Sequence, residues 1–302
     1  CAFAWDADLT SFCRTSHFDL PAGLDIGSRT LDRTSQTIFV PKSVDKLRTI
    51  SMEPPVLMYF QEGLARSLTN FLRSGPLSLH VDLSHQEHNR DLARVGSLDG
   101  SLATIDLSSA SDSVSLALVR SLFAKTAIGS ALECLRSTHT LLPSGRRLEL
   151  AKYAPMGSAL TFPIETLVFS AVCEFVVRRH GCRSYDSMYS VYGDDIVIEQ
   201  AFSAEVSTLL EQIGFAVNHD KTHGLASTHL NYRESCGGEY VLGRDVTPVR
   251  ISRRFSGMDG LSSDASSYLE LIDLCNDVYG RYPLMRALII DVLQGLPKRL
   301  RP

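Results

Sequence analysis

Two adjacent acidic residues, Asp194 and Asp195, follow Gly193 where two β-like runs meet, at 189–191 and 196–198. The tetrapeptide YGDD is therefore predicted to form the tip of a hairpin. Neighbouring carboxylates repel each other unless a cation or water screens them. Carboxylate oxygens on a rigid turn are the ligands that Mg²⁺ prefers. The turn is either half of a metal-dependent phosphoryl-transfer centre or a solvated Asp-Gly hairpin turn, and the tetrapeptide leaves both open.

A third acid, Asp106, lies near the end of the apolar run 102–107, which predicts a buried strand. A buried carboxylate destabilises a fold unless it is paired or binds a metal. The predicted order is strand, helix, insertion, helix, hairpin, helix, strand, which is typical of an antiparallel sheet with helices on one face. Such a sheet places Asp106 beside Asp194 and Asp195, and three carboxylates suit two Mg²⁺ ions. The alternative is that Asp106 is a helix N-cap or a surface strand end.

The composition excludes several classes of protein. The chain has 302 residues, of which 44% are hydrophobic and 21% charged, with a formal charge of −4. This is typical of a globular protein without overall attraction to polyanions, so a nucleic acid must meet a local basic surface. The seven cysteines are scattered and form no C-x-x-C pair, which favours reduced thiols over disulfides or structural zinc. The apolar stretch 159–177 contains Pro163, Glu165 and Glu174, so it predicts a buried helix and no membrane span.

The elements that must position the acids follow from apolar periodicity and from turn and cap residues. Helices are predicted at 56–72, after Asp112 as an N-cap, around Pro163 in a first turn, from Ser203 as an N-cap to Gly214, and over 262–296. Strands are predicted at 37–40, on both sides of a turn at 144–147, at 215–218, and in a hairpin that joins 239–242 to 247–251.

Three motifs occur in an order that resembles viral RNA-dependent RNA polymerases: Ile105-Asp106-x5-Asp112, MGSALTF at 156–162, and YGDD at 192–195. The segments DLSSASDS, MGSALTFPIETLVF, VYGDDIVI and YRESCGGEYVLGRDVTPV resemble the replicase subunit of positive-strand RNA bacteriophages, the leviviruses. The resemblance covers about residues 38–255. It implies an α+β right-hand polymerase of fingers, palm and thumb, with an antiparallel palm sheet and truncation at both ends. The implied domains are partial fingers at 1–100, a palm at 101–252 with a fingers insertion at about 128–152, and the start of a thumb at 253–302.

The resemblance also implies an activity, which is RNA-templated RNA synthesis from NTPs that replicates a phage genome in the cytoplasm of the bacterial host. It implies that Asp106, Asp194 and Asp195 bind two Mg²⁺ ions, for which Mn²⁺ can substitute. The implied partners are the RNA template and product, NTPs, host elongation factors Tu and Ts and a host ribosomal protein, with no membrane.

Several polar residues match family positions that contact the nucleotide. Asp112 matches the second acid of the first motif, near the incoming ribose, although a helix cap is an alternative role. The loop from Gly157 to Thr161 matches the segment that positions template and ribose, with Ser158 and Thr161 as its polar candidates. Relatives commonly have Asn-Gly where this chain has Ser158-Ala159. The alternative is that Ser158 and Thr161 cap the next helix.

Basic residues supply the remaining nucleotide contacts. Lys42, Lys46 and Arg48 lie on one side of a segment that resembles the family's basic finger strand, where they are predicted to bind the triphosphate. Lys221 is predicted to protonate the leaving pyrophosphate as a general acid. The alternative for each is a solvated surface cation.

The segment 233–238 resembles the family's hairpin beneath the end of the nascent strand. Gly237 permits close approach of RNA to the backbone. Cys236 is expected to be a packed thiol at this RNA-binding turn and not a nucleophile. Arg250 is predicted to contact phosphates of the product strand, with a solvated helix start as the alternative.

Three other functions compete with an RNA polymerase. A reverse transcriptase-like enzyme commonly has an apolar residue where this chain has Gly193. A non-catalytic palm that binds RNA or protein would be favoured by loss of any of the three carboxylates, and all are present. A cyclase-like palm is disfavoured by the basic strand and by the hairpin at 233–238.

Overall fold

A computed structural model describes residues 33–42, 47–182, 188–224, 231–249 and 265–295. The chain divides into two compact units. The first comprises Cys1–Phe39 and Thr49–Val246, and the second comprises Val40–Arg48 and Thr247–Pro302. The first unit contains all three candidate metal ligands.

The described strands are β1 (Thr34–Pro41), β2 (Leu47–Met52), β3 (Leu102–Ile105), β4 (Leu107–Ser108), β5 (His139–Leu141), β6 (Arg147–Glu149), β7 (Tyr189–Tyr192), β8 (Asp195–Glu199), β9 (Ala216–Val217), β10 (Tyr232–Ser235), β11 (Gly238–Val241) and β12 (Arg244–Asp245). The described helices are α1 (Pro55–Ser74), α2 (Glu87–Asp99), α3 (Ala110–Ser113), α4 (Leu116–Phe123), α5 (Ala127–Cys134), α6 (Thr161–Arg179), α7 (Gln200–Gln212), α8 (Ala265–Arg281) and α9 (Arg286–Gly295), with a short 3₁₀ turn at Pro283–Met285.

The central sheet has the strand order β3-β8-β7 and is antiparallel throughout. The pairing of β3 with β8 begins at Leu102–Glu199 and ends at Ile105–Ile196. The predicted strand at 102–107 is interrupted at Asp106, after which β4 pairs with β9. The α+β class and the antiparallel sheet are therefore as predicted.

Helices cover both faces of this sheet, although the sequence predicted helices on one face. Ile196 and Ile198 join the large apolar core that includes Ile164 and Val168 of α6. Val197 points to the opposite face, because side chains alternate along a strand, and it packs with Leu92 of α2 and with Leu102. The helix α2 was missing from the prediction.

The second sheet has the order β2-β1-β5-β6. β1 is parallel to β5, and β5 is antiparallel to β6. The turn predicted at 144–147 lies between β5 and β6, and Gly145 has a φ of 82° there. The helix predicted at 56–72 is α1, and Pro163 lies in the first turn of α6 as predicted.

Three details of the prediction are wrong. Asp112 lies inside α3 and is not an N-cap, whereas the Ser115 side chain accepts a hydrogen bond from the Leu118 amide and caps α4. Ser203 lies inside α7, where its hydroxyl donates to the Gln200 carbonyl. The predicted hairpin at 239–251 turns at Leu242-Gly243, so the strand that follows the turn is β12, and residues 247–249 are not in a strand. Of that stretch, Arg250 and Ile251 lie outside the described residues.

Within the described residues, the structure contains no helix that is both long and apolar enough to cross a bilayer. The stretch 159–177 instead contributes α6 to the core.

Close packing explains why residue 157 is glycine. Gly157 has a φ of 117°, and a Cβ there would lie 2.2 Å from the Ser51 carbonyl oxygen. The Ser51 amide also donates to the Met156 carbonyl at 2.8 Å, which fixes the loop against β2. The glycine therefore has a packing role within the protein, independent of any ligand.

We expect Gly157→Ala to reduce the free energy of unfolding by roughly 1–3 kcal/mol from backbone strain, and further because of the contact with Ser51. The matched control is Gly145→Ala, which has a similar positive φ but no atom within 4 Å of the added Cβ. Urea unfolding of both variants measures the difference. An equal loss in the two variants would contradict the packing explanation.

Candidate active site

The register of β3 and β8 brings Asp106 and Asp195 to the same end of the central sheet. The last paired residues are Ile105 and Ile196, so the next residue on each strand is one of these acids. The β7–β8 hairpin closes with Tyr192 paired to Asp195, which leaves Gly193 and Asp194 as its two-residue turn. The predicted hairpin tip is thus confirmed.

Asp106 is held in place by residues that follow β9. The Asn218 side-chain amide donates to Asp106 Oδ2 at 2.8 Å, and the Asn218 backbone amide donates to the Asp106 carbonyl at 2.9 Å. The Asp106 amide donates to Thr222 Oγ1 at 3.3 Å. These bonds form at the break between β3 and β4. They hold the Asp106 carboxylate in place although Asp106 itself is not paired in a strand.

Burial and neighbouring charges both act on Asp195. Burial, together with the charges of Asp194 and Asp106, raises its pKa to about 6, although hydrogen bonds from the Cys236 amide and the Ser235 hydroxyl act in the opposite direction. That amide lies 2.9 Å from Asp195 Oδ1, and the Ser235 hydroxyl lies 3.3 Å from the same oxygen. The structure therefore couples Asp195 electrostatically to both of the other candidate ligands.

The donor chemistry of these acids suits a hard divalent cation, because all the ligands are carboxylate oxygens with excess negative charge. In the part of the chain that the structure describes, no three His, Cys, Asp or Glu side chains come close enough together to hold one ion. Asp195 nevertheless lies near enough to Asp194 and Asp106 for their charges to raise its pKa. The three acids offer the oxygen ligands and the negative charge that a divalent cation requires. They do not, however, surround a single ion position.

The helix α2 forms hydrogen bonds with the β7–β8 hairpin that carries Asp194 and Asp195. The Asn89 side-chain amide donates to the Asp195 carbonyl at 3.0 Å, and Asn89 Oδ1 accepts from the Ser190 hydroxyl at 2.6 Å. One buried amide therefore contacts both strands of the hairpin. The next residue, Arg90, donates from Nε and Nη2 to the Cys236 carbonyl at 2.9 and 2.8 Å.

The Gly193 turn is packed against α6. Gly193 has a φ of 62°, and a Cβ there would lie 2.5 Å from the Phe162 ring. The Gly193 amide donates to Thr166 Oγ1 at 2.9 Å. Glu165 lies beside this turn, and burial, followed by the charges of Asp194 and Asp112, raises its pKa to about 8. The sequence did not predict Glu165 as a neighbour of the site, because an isolated acid within an apolar helix carries no local signal for the turn that it meets.

The loop at 157–161 is tied to the rest of the protein through Gln61. Its Nε2 donates to Glu53 Oε2 at 3.2 Å and to the Leu135 carbonyl at 2.7 Å. Its Oε1 accepts from the Ser158 hydroxyl at 3.0 Å and from the Ala159 amide at 3.3 Å. Gln61 is fully buried, so its hydrogen bonds fix the loop from inside the protein.

The two polar candidates of this loop do not cap α6. The Thr161 hydroxyl donates to the Pro155 carbonyl at 2.8 Å, and α6 begins without a side-chain cap. Both Ser158 and Thr161 are buried. Their hydroxyls therefore stabilise the loop, and their predicted ribose contacts stay predictions.

Asp112 is exposed and forms an ion pair with Lys152. The backbone of Lys152 is fixed from both sides, since the Leu116 amide donates to the Ala151 carbonyl and the Tyr153 amide donates to the Val114 carbonyl. Lys152 was absent from the sequence prediction.

The remaining predicted residues differ in what surrounds them. Lys221 donates to Glu234 Oε1 at 3.1 Å, so this cation is paired with a carboxylate of β10. Burial raises the pKa of the Cys236 thiol to about 12, as expected for a packed cysteine. Gly237 has a φ of 71° and open space around its Cα, which leaves room for a ligand.

Lys42 and Arg48 are exposed. Lys46 and Arg250 lie outside the described residues.

Comparison with known proteins gives consistent results. The family model described as RNA replicase, beta-chain, matches residues 14–280. The RNA-directed RNA polymerase subunit beta of Enterobacteria phage SP is 38% identical over 230 residues, which are 76% of this chain and 38% of that protein. The corresponding chain of Escherichia phage MS2 is 37% identical over 216 residues, which are 71% of this chain and 37% of that protein. The chain thus spans less than two fifths of the length of these relatives.

Solved structures share the fold. The RNA-dependent RNA polymerase of a human picorbirnavirus superposes with a TM-score of 0.59 at 16% identity, over 88% of this chain and 56% of that one. A telomerase from Candida albicans superposes with a TM-score of 0.51 at 12% identity, over 95% of this chain and 59% of that one. The similarity to polymerases therefore extends beyond the motifs to the arrangement of strands and helices.

We expect Glu53 to make stability depend on pH. Burial raises its pKa above the ordinary 4.5, and hydrogen bonds from Ser137 and Gln61 only partly offset this. The folded state then binds this proton more tightly than the unfolded chain, so the contribution of Glu53 to the free energy of unfolding should be fully present below pH 4.5 and be lost as the pH rises through the raised pKa.

Glu53→Gln, which cannot ionise, should flatten this part of the pH profile in urea unfolding. Glu62→Gln, at an exposed position of α1, should keep the wild-type profile. If the free energy of unfolding of Glu53→Gln depends on pH as steeply as that of the wild type, Glu53 is not the group responsible.

Proposed function

Because the chain belongs to the RNA replicase beta-chain family, we propose that it forms the nucleotidyl-transfer centre of an RNA-directed RNA polymerase. The observation that supports this most is the coupling of Asp195 to both Asp194 and Asp106 at one end of the β3–β8 pair. The reaction joins an NTP to the 3′-hydroxyl of a growing RNA strand on an RNA template. The biological role is replication of a positive-strand RNA phage genome in the cytoplasm of the bacterial host.

Asp106, Asp194 and Asp195 are the proposed ligands of two divalent cations. Bound Mg²⁺, for which Mn²⁺ can substitute, would lower the pKa of the attacking hydroxyl and neutralise the triphosphate. The protein contributes the orientation of the carboxylates. Asn218 holds the Asp106 carboxylate, and the Cys236 amide holds that of Asp195.

Asp112, Ser158 and Thr161 are the proposed contacts of the incoming ribose. A 2′-hydroxyl requires a polar partner, and Asp112 offers an exposed carboxylate. The ion pair with Lys152 supports this role, because it orients the carboxylate and reduces its repulsion of a triphosphate. Lys42, Lys46 and Arg48 are proposed to bind that triphosphate.

Lys221 is the proposed general acid for the leaving pyrophosphate. Its ammonium forms an ion pair with Glu234 at 3.1 Å, which holds this donor beside β10. Gly157, Cys236, Gly237 and Arg250 are the proposed RNA contacts. Host elongation factors Tu and Ts and a host ribosomal protein are proposed partners of the replicase.

A reverse transcriptase-like activity is the alternative function, since a telomerase shares the fold. Gly193 and the acidic Asp112 favour ribonucleotides over this alternative. A palm that binds RNA without catalysis is disfavoured by the presence of all three carboxylates.

We expect Asp194→Asn to abolish primer extension on an RNA template with Mg²⁺, because one cation ligand loses its charge. Asp91→Asn, an exposed position of α2, is the control and should retain activity. Extension is measured with NTPs and with dNTPs, with and without host factors. Full activity of Asp194→Asn would refute the ligand assignment, and preferential use of dNTPs would favour the reverse transcriptase.

We expect Asp112→Asn to reduce the preference for NTPs over 2′-deoxy-NTPs by about tenfold, or about 1.4 kcal/mol, because the neutral amide oxygen accepts a weaker hydrogen bond from the 2′-hydroxyl than the carboxylate does. The ratio of kcat/KM for the two nucleotides is the measurement. An unchanged ratio would assign Asp112 to the ion pair with Lys152 alone.

A further inference from the structure

The turn between β10 and β11 connects the acidic site to α2 through a single residue. The Cys236 amide donates to Asp195 Oδ1 at 2.9 Å, while the Cys236 carbonyl accepts two hydrogen bonds from the Arg90 guanidinium, at 2.9 and 2.8 Å. Both polar backbone groups of Cys236 are therefore used. Arg90 and Asp195 do not need to touch each other to be coupled.

Cys236 and Gly237 form the two-residue turn between the paired residues Ser235 and Gly238. Cys236 has a φ of 49°, a left-handed value that is unfavourable for a residue other than glycine. Gly237 follows with a φ of 71°, so the turn has two consecutive left-handed residues. Such a conformation persists where surrounding groups hold it. The guanidinium fork is planar and rigid, which makes it well suited to fix the direction of one carbonyl.

One carboxylate oxygen of Asp195, Oδ1, is occupied by hydrogen bonds from within the protein. The Cys236 amide and the Ser235 hydroxyl both donate to Oδ1. Asn89, one residue before Arg90, meanwhile donates to the Asp195 carbonyl at 3.0 Å. Two adjacent residues of α2 thus fix the backbone and, through Cys236, the side chain of the same acid.

We propose that Arg90 is a positioning residue, which acts through the Cys236 peptide to orient the Asp195 carboxylate for a divalent cation. This inference rests on the proposed function, which makes Asp195 a cation ligand. Partners that orient a ligand typically contribute 10–100-fold to metal affinity. Arg90 acts through one intervening residue, so its effect belongs at the lower end of that range.

The experiment measures Mn²⁺ binding to the intact chain by the electron paramagnetic resonance signal of free Mn²⁺, without nucleotide or RNA. Arg90→Met removes the guanidinium but keeps much of the apolar stem, and it should weaken Mn²⁺ binding about tenfold. Arg94→Met is the matched control, one turn further along α2, where the arginine is exposed and its ion pair with Asp91 is long, at 3.9 Å. It should bind Mn²⁺ as the wild type does.

A second variant covers the case in which Arg90→Met does not fold. Arg90→Lys keeps the charge but replaces the planar fork with a single ammonium, so it should restore only part of the Mn²⁺ affinity. Thermal unfolding of each variant separates affinity from stability. If Arg90→Met, or Arg90→Lys in its place, lowers stability while the Mn²⁺ affinity stays at the wild-type value, the inference is overturned.

Asp195→Asn shows which assignment has failed. Loss of Mn²⁺ binding in Asp195→Asn, together with wild-type binding in the Arg90 variants, would overturn the role of Arg90 alone. Unchanged Mn²⁺ binding in Asp195→Asn would instead remove the proposed cation ligand and the role of Arg90 with it.

Discussion

The arrangement of the site depends on the burial of Asp195 beside other carboxylates that the sheet brings together. The β3–β8 register places Asp106 and Asp195 next to the last paired residues, and the hairpin adds Asp194. Burial and these charges raise the pKa of Asp195 to about 6. Backbone and side-chain amides offset part of this unfavourable energy. Asn218 and Cys236 donate hydrogen bonds to Asp106 and Asp195. The fold needs these bonds to hold the acids close together, because unpaired buried charges would destabilise it.

Support for these acids comes from both sides of the sheet. On one side, α6 packs against the Gly193 turn through Phe162 and Thr166. On the other side, α2 holds the hairpin through Asn89 and reaches the next hairpin through Arg90. The turn lies between two rigid helices, as a site that must place charges accurately requires.

The sequence predicted the elements whose signals are local. The two β-like runs at 189–191 and 196–198 and the Gly-Asp turn between them identified β7 and β8, and the broad apolar stripe identified α6. The helix α2 was missed because it buries Asn89, Gly96 and Ser97 beside only Leu92 and Ala93, so its inner face has a weak apolar pattern. The partners Asn218, Gln61, Arg90 and Lys152 were missed for another reason. Each contacts the site from a distant part of the chain, and a polar residue that bonds far along the sequence has no local periodicity. Asp112 and Ser115 are both suitable N-cap residues and lie only three positions apart. Apolar periodicity does not locate the start of a helix accurately enough to choose between them.

The packing of Gly193 restricts how this turn can change during evolution. A side chain at position 193 would meet the Phe162 ring at 2.5 Å, and the left-handed φ of 62° disfavours any residue with a branched Cβ. Phe162 itself contacts Tyr192, with ring centroids 4.8 Å apart. Replacement of the glycine by an apolar residue therefore requires a compensating change at 162, and that change disturbs the residue before the turn. The two positions are expected to vary together among descendants of this chain, so that a single substitution does not convert one type of polymerase turn into the other.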